Sequence, residues 1–298
     1  MSGDRIRRIV ETRRNRPEAI AEAAAARRRP EPFIGSRVGA LIIAADHPAR
    51  GAFAAGSDPL AMADRGGLLE RICVALSRPG VTGFLGTPDV IEDLLLLGAL
   101  DGKHVFGSMN RAGLAGSVFE FDDRFTAYDA AMLAAMGLDG GKMLLRINLE
   151  DAATAATLEA CGRAIGELAA RRLPAMVETF VSRRVDGRVR HDLSAEAAMR
   201  AITIATGLGP TSAYTWLKVP LVEDLERVMH AATVPALILG GEVSHDQDAM
   251  FEAWRRALAL PTVMGLVIGR SLLFPPDGDV AAAVDVAGSL VLAMASTA

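Results

Sequence analysis

Eight short apolar runs, each followed by a stretch of helical character, set the limits on how this chain can fold. They cover residues 40–45, 80–85, 104–107, 142–147, 175–180, 213–219, 236–239 and 263–268. Strands this short and this uniformly apolar must be buried on both faces, which happens when helices cover a parallel sheet. Helices are expected at 64–77, 88–100, 126–136, 151–172, 194–208, 221–232, 246–260 and 281–295, several of them opening on an Asp, Ser or Thr suited to an N-cap. Eight strand–helix units in a chain of this length predict a closed (β/α)8 barrel of the α/β class. An open doubly wound sheet is the competing arrangement. It lacks its usual support, since no Gly-x-Gly-x-x-Gly follows the first run and no P-loop motif occurs.

The barrel is expected to fill residues 34–298, preceded at 1–33 by an Arg-, Glu- and Ala-rich helical extension punctuated by Pro17 and Pro30. No internal repeat or linker divides the rest. With 51% hydrophobic residues the chain can fill a large core, which excludes a disordered or fibrous protein. A net charge of −4 is too balanced for an electrostatic binder of nucleic acid or of anionic membrane. The charged N-terminal stretch does not read as a signal peptide, and the Ala-rich tail, interrupted by Asp285, reads as a closing amphipathic helix and not a membrane span. Cys73 and Cys161 stand far apart with no Cys-x-x-Cys, so a reduced, cytoplasmic setting is expected.

In such a barrel the active site lies where strands end. Of 32 basic residues only Lys103, Lys142 and Lys218 are lysines. Lys218 interrupts the apolar sixth run. A buried amine tends towards its neutral, nucleophilic form or pairs with a carboxylate, so it is either a Schiff-base lysine or a paired residue of the barrel interior. Period-two alternation puts Lys142, Leu144, Arg146 and Asn148 on one face of the fourth run, with Glu178 on the strand between Lys142 and Lys218. Glu178 could exchange protons with the lysines or form only a structural ion pair with Lys142.

Asp46 and His47, with Arg50, follow the first run and offer proton-transfer or hydroxyl-binding groups, or merely a turn. The third run ends in Ser108-Met109-Asn110-Arg111. Gly240 and Gly241 after the seventh run, with Gly269 and Arg270 after the eighth, supply the amides and the cation of a phosphate cradle, though glycine pairs also make simple turns. His104, His191 and His230 show no metal-ligand spacing and read as surface or packing residues, while His245 is kept as a possible mouth residue. No nucleophile-elbow motif occurs.

Taken in order, Asp-His-Pro after the first strand, Lys on the fourth, Glu on the fifth, Leu-Lys-Val-Pro on the sixth, Gly-Gly after the seventh and Gly-Arg after the eighth resemble the class I sugar-phosphate aldolases. The nearest likeness is to tagatose-bisphosphate and archaeal-type fructose-bisphosphate aldolases, and to an actinobacterial aldolase-like branch associated with inositol or sugar catabolism. It spans about residues 34–274.

The resemblance implies an imine at Lys218, proton transfer by Glu178, electrostatic help from Lys142, and Asp46 binding or deprotonating the reacting hydroxyl. It further implies phosphate held by Gly241, Gly269 and Arg270; apart from the resemblance, Gly240 and His47 are expected beside the substrate, and Arg146 and Arg111, if inward at the mouth, to add a second anion contact. The archaeal-type enzymes favour Tyr on the fifth strand, where this chain has Glu178-Thr179-Phe180, so the Glu assignment follows the tagatose pattern. His47-Pro48-Ala49-Arg50-Gly51 departs from the usual extension of the first strand.

The expected protein is a cytoplasmic carbon–carbon lyase acting on a phosphorylated ketose or deoxy-keto-sugar acid, a homo-oligomer needing neither metal nor cofactor. The alternatives are a transaldolase-like transferase using the same lysine and a non-catalytic sugar-phosphate-binding barrel.

Overall fold

In the computed structural model, residues 3–35, 39–244 and 246–295 are described. His245 lies outside them. Nine strands occur in chain order: β1 Ala40–Ala44, β2 Gly83–Gly86, β3 His104–Ser108, β4 Gly140–Ile147, β5 Ala175–Val185, β6 Arg188–His191, β7 Thr215–Val219, β8 Ala236–Leu239 and β9 Val263–Ile268. Eight of them pair in parallel, and the sheet closes through β1 with β9 and β4 with β5. The result is the (β/α)8 barrel, with a strand in each of the eight apolar runs. Sequence reading passed over β6, which pairs antiparallel with the distal half of β5, so that β5 and β6 form a hairpin standing above the barrel rim. Its turn is Asp186-Gly187, both residues at positive φ (50° and 75°), the geometry of a tight hairpin turn.

The helices are α1 Gly3–Asn15, α2 Ala19–Ala26, α3 Arg65–Leu76, α4 Pro88–Leu96, α5 Ala130–Ala135, α6 Ala153–Ala169, α7 Ala195–Thr206, α8 Leu225–Met229, α9 Gln247–Leu258, α10 Arg270–Leu273 and α11 Val280–Ala295. Side chains of Asp64, Asp129, Ser194 and Asp246 accept hydrogen bonds from first-turn amides, which fixes where α3, α5, α7 and α9 begin. Two helices are much shorter than their sequence patterns suggested. Before α5 the amides of Ala127 and Tyr128 are bonded to the carbonyls of Met109 and Ser108 and Asp129 is extended, and α8 starts only after Asp224, which adopts a left-handed conformation. No helix among the described residues is long and apolar enough to cross a membrane.

Strand alternation sorts the apolar residues into two cores. Met143, Leu145 and Ile147 of β4 face the helices in the larger one, with Trp254 and Leu258 of α9 and Val284, Ala287 and Val291 of α11. The smaller core fills the barrel: Ile42, Ala44, Leu85, Phe106, Met176, Leu237 and Val267. Gly265, at φ 149°, is needed where β9 passes β1, because a Cβ there would run into the Ala40 carbonyl. Phe33, the last residue of the expected extension, plugs the N-terminal floor against Phe106 and Trp216, with ring centroids 5.1 and 4.7 Å away. The preceding segment is fastened beside it. Buried Arg27 donates to the carbonyls of Lys103 (2.6 Å) and Gly137 (2.7 Å) and pairs with Asp139 (3.2 Å).

Candidate active site

Above the filled floor the barrel interior turns polar and opens at the C-terminal mouth into a cavity of about 680 Å³. The inward positions of β4, β5 and β7 carry the change. Lys142 and Arg146 point inward with Leu144 between them, Glu178 follows inward Met176, and Lys218 stands beside Glu178 in the β5–β7 register. The lysines are almost sealed, with side chains 2% and 4% exposed, and Glu178 is 13% exposed.

These side chains form one alternating row of charge. Lys218 Nζ lies 2.8 Å from Glu178 Oε1, and Lys142 Nζ contacts Glu178 Oε2. Lys142 Nζ also donates to Asp46 Oδ2 at 3.0 Å. That oxygen accepts two further bonds, from Arg111 Nη1 at 2.9 Å and Ser108 Oγ at 3.1 Å, while Arg111 Nη2 donates to the Asp46 carbonyl. Asp46 Oδ1 has no hydrogen-bond partner among the described residues, and His47 Nδ1 stands 3.9 Å from it.

The row sets the ionisation of its members. Burial pushes the Glu178 carboxyl up, but the ammoniums of Lys142 and Lys218 outweigh it and hold the group well below the carboxylate range. Burial likewise opposes ionisation of Asp46, and Lys142 and Arg111 overcome it. Desolvation lowers the Lys142 ammonium despite both carboxylates. His47 is pushed down to about 3 by burial, with Arg270 and Lys218 adding to the effect, so its imidazole is neutral at physiological pH.

On the other side of the mouth, Gly240 and Gly241 follow β8, and Gly269 and Arg270 lead from β9 into α10. Ser271 Oγ donates to the carbonyls of Gly240 and Glu242, tying the two loops together. A Cβ on Gly269 would come 2.6 Å from the Ala44 carbonyl and 3.4 Å from the His47 ring, so this strand end is packed directly against that of β1. The Arg270 Nε is buried without a hydrogen-bond partner among the described residues.

The structure therefore gathers Asp46, His47, Lys142, Glu178 and Lys218 around one cavity, with Gly240, Gly241, Gly269 and Arg270 on its wall. Arg146 also reaches the cavity, but its guanidinium is engaged by the β3–α5 loop: Glu120 Oε1 at 2.5 Å, Asp123 Oδ2 at 3.4 Å and the carbonyls of Gly113 and Glu120. Arg50 is bound in the same way by Asp123 at 2.6 Å. Glu120 and Asp123 were not anticipated, since they stand in an irregular loop with no periodicity to mark them.

His191, expected at the surface or in packing, is exposed and packs on an aromatic ring, and it also reaches the candidate site. It lies on the cavity wall, stacked on Phe180 with centroids 4.0 Å apart and bonded through Nδ1 to Ser182 Oγ at 2.8 Å. The signal that would have placed it is the Asp186-Gly187 pair between alternating residues.

The structure is similar to the crystal structure of Cgl0159 from Corynebacterium glutamicum, with 52% identity, 98% of each chain covered and a TM-score of 0.94. It also resembles a Schiff base-forming fructose-1,6-bisphosphate aldolase, with 18% identity over 91% of this chain and 99% of that one and a TM-score of 0.65. An archaeal fructose 1,6-bisphosphate aldolase aligns with 17% identity over 92% and 99% and a TM-score of 0.63. At such identities the aldolase likeness is one of fold. No curated protein sequence matches the chain. The profile of the Cgl0159-like family matches residues 39–288, and the chain belongs to that family.

Proposed function

We propose that the protein is a class I aldolase that makes or breaks a carbon–carbon bond of a phosphorylated sugar through an imine on Lys218. The observation that carries this reading is the placement of the Lys218 amine, sealed at the cavity base and held at 2.8 Å by Glu178, itself shared with a second lysine. The fold shared with a Schiff base-forming aldolase supports it.

Lys218 must give up a proton to attack, and its nitrogen then adds to the ketone carbon to form a carbinolamine. Loss of water leaves an iminium, an electron sink into which the neighbouring carbon–carbon bond breaks as the hydroxyl beyond it loses its proton. An aldehyde departs and an enamine remains. Protonation of the enamine and hydrolysis of the imine return the amine.

Glu178 is suited to move these protons because its basicity depends on Lys218. With both ammoniums in place it is a poor base, and when the Lys218 nitrogen turns neutral one of the charges holding it down is gone. Asp46 is held too acidic to take a proton readily, but its free Oδ1 can accept a hydrogen bond from the reacting hydroxyl. Lys142 keeps the two carboxylates apart and ionised. Gly241, Gly269 and Arg270, whose Nε has no hydrogen-bond partner among the described residues, are assigned to the phosphate.

The test is intact-mass spectrometry after borohydride reduction with dihydroxyacetone phosphate and a panel of keto-sugar phosphates, in the wild type and in Lys218→Met. The expected result is an adduct that maps to Lys218 and is absent from the variant. A ligand that demonstrably binds yet gives no adduct would overturn the imine and leave a non-catalytic sugar-phosphate-binding barrel. Product analysis separates cleavage from transfer to a second sugar.

A further inference from the structure

Alternation along the β5–β6 hairpin decides which of its side chains meet the cavity. Ser182 stands opposite His191 and Arg184 opposite Val189, so these four share a face with Phe180, whereas Arg183 and Arg190, paired with each other, turn to the other face. The inner face lines the cavity with Phe180, Val189 and His191, and Leu193 follows them. Arg184 is engaged elsewhere, donating to the carbonyls of Ser117 (3.0 Å) and Val118 (2.7 Å) in the β3–α5 loop. With Ser182 bonded to His191, the imidazole is the polar group that this wall turns towards a ligand.

The ring is fixed at two points, by the Phe180 ring stacked at 4.0 Å and by Ser182 Oγ at 2.8 Å from Nδ1. Nε2 has no hydrogen-bond partner among the described residues. Desolvation of the ring, with Arg146 adding to it, pushes the imidazole down to about 4 against the pull of Glu178, so it is neutral at physiological pH. The Ser182 hydroxyl either donates to Nδ1, which leaves the ring proton on Nε2, or accepts from it, which leaves Nε2 a lone pair. A hydroxyl group can partner Nε2 in both cases, a carboxylate in only one.

The order of the barrel places this ring with respect to the rest of the site. β4 and β9 face each other, separated by β3, β2 and β1 on one side and by β5, β7 and β8 on the other. Arg270, at the end of β9, acts on His47, whereas His191 is acted on by Arg146 of β4 and Glu178 of β5. A phosphosugar with its phosphate at Gly241, Gly269 and Arg270 and its carbonyl at Lys218 of β7 directs its remaining carbons across the mouth, towards the hairpin. Arg146 on that side has its charge met by Glu120 and Asp123.

We infer that His191 is a specificity-determining residue, its Nε2 hydrogen-bonded to a hydroxyl on the part of the substrate that leaves as the aldehyde. The inference rests on the phosphosugar reading and adds to it what the departing half must carry, a hydroxyl beyond the one whose proton is lost in the cleavage.

Two probes without a carbonyl test this apart from the imine. Terminally phosphorylated glucitol and its analogue lacking the two hydroxyls at the far end have the same length and the same phosphate. Their binding is measured by calorimetry to the wild type, to His191→Phe, which keeps an aromatic ring on Phe180 and removes both nitrogens, and to His191→Gln, which restores an amide near the place of Nε2. The wild type is expected to prefer the glucitol by roughly threefold or more, a preference lost in His191→Phe and kept in part by His191→Gln. In the wild type the nitrogen NMR resonance of His191 Nε2 is expected to shift with the glucitol and not with the analogue, a readout that needs no variant.

Equal affinity of the wild type for the two probes, a preference that survives in His191→Phe, or one lost to the same extent in both variants overturns the inference, as does an Nε2 resonance that responds alike to both probes. If neither probe binds, the inference falls together with the phosphosugar reading. If the affinities are as expected and the borohydride experiment gives no adduct, His191 keeps its role and the imine is lost.

Discussion

The depressed groups at the mouth give the protein a particular dependence on acid. His47 ionises at about 6.5 in an unfolded chain and at about 3 in place, so between those values the unfolded chain binds a proton that the folded one refuses. Stability therefore falls as the pH drops from about 6.5 towards 3. Asp46 and Glu178 act in the same direction lower down, because their contribution is whole above the ordinary values of 3.8 and 4.5 and is lost as the pH falls below them. Urea midpoints measured against pH are expected to decline more gently between pH 6.5 and 4.5 in His47→Gln than in the wild type. A variant as steep as the wild type would refute the assignment. These residues were legible in the sequence because a charge inside an apolar run is conspicuous. What was not legible is which of them is already occupied: Arg146 looked free until the fold brought Glu120 and Asp123 beside it from a loop many residues away.

Among the elements, the eight barrel strands could be read directly, since burial on both faces writes itself as continuous apolar sequence. The hairpin could not be read that way, for one of its faces meets the cavity and the other meets solvent, and arginines occupy two of the four β6 positions. Only the turn marks it. Gly187 holds φ at 75°, so Gly187→Val is expected to cost the hairpin roughly 1–2 kcal/mol. That corresponds to an approximately tenfold or greater acceleration of amide exchange across residues 182–191, with β1 and β9 unaffected. Unchanged exchange in the hairpin would show that the turn does not hold it. The starts of α5 and α8 were misjudged for a related reason: helical composition begins before the point where the extended Asp129, or the left-handed Asp224, lets the helix start.

For the molecule as a whole, the two ends of the barrel are opposites. The floor is dry and closed by Phe33, whose ring fills the space between Phe106 and Trp216. Phe33→Ala is expected to lower the unfolding free energy by about 3–5 kcal/mol, measured by urea titration. A loss under about 1 kcal/mol would mean that the plug does not matter to the core.

The mouth is wet and rich in ions, yet its ions are of two kinds. The row from Asp46 to Lys218 carries its own counter-charges in contact and out of water, where dissolved salt has little access. Arg270 lines the cavity outside that row, its Nε without a hydrogen-bond partner among the described residues. Raising the ionic strength from millimolar to about 0.5 M should therefore raise KM several-fold while leaving kcat nearly constant. The barrel would hold its reacting centre insulated from the surrounding electrolyte while its grip on the substrate weakens as that electrolyte thickens.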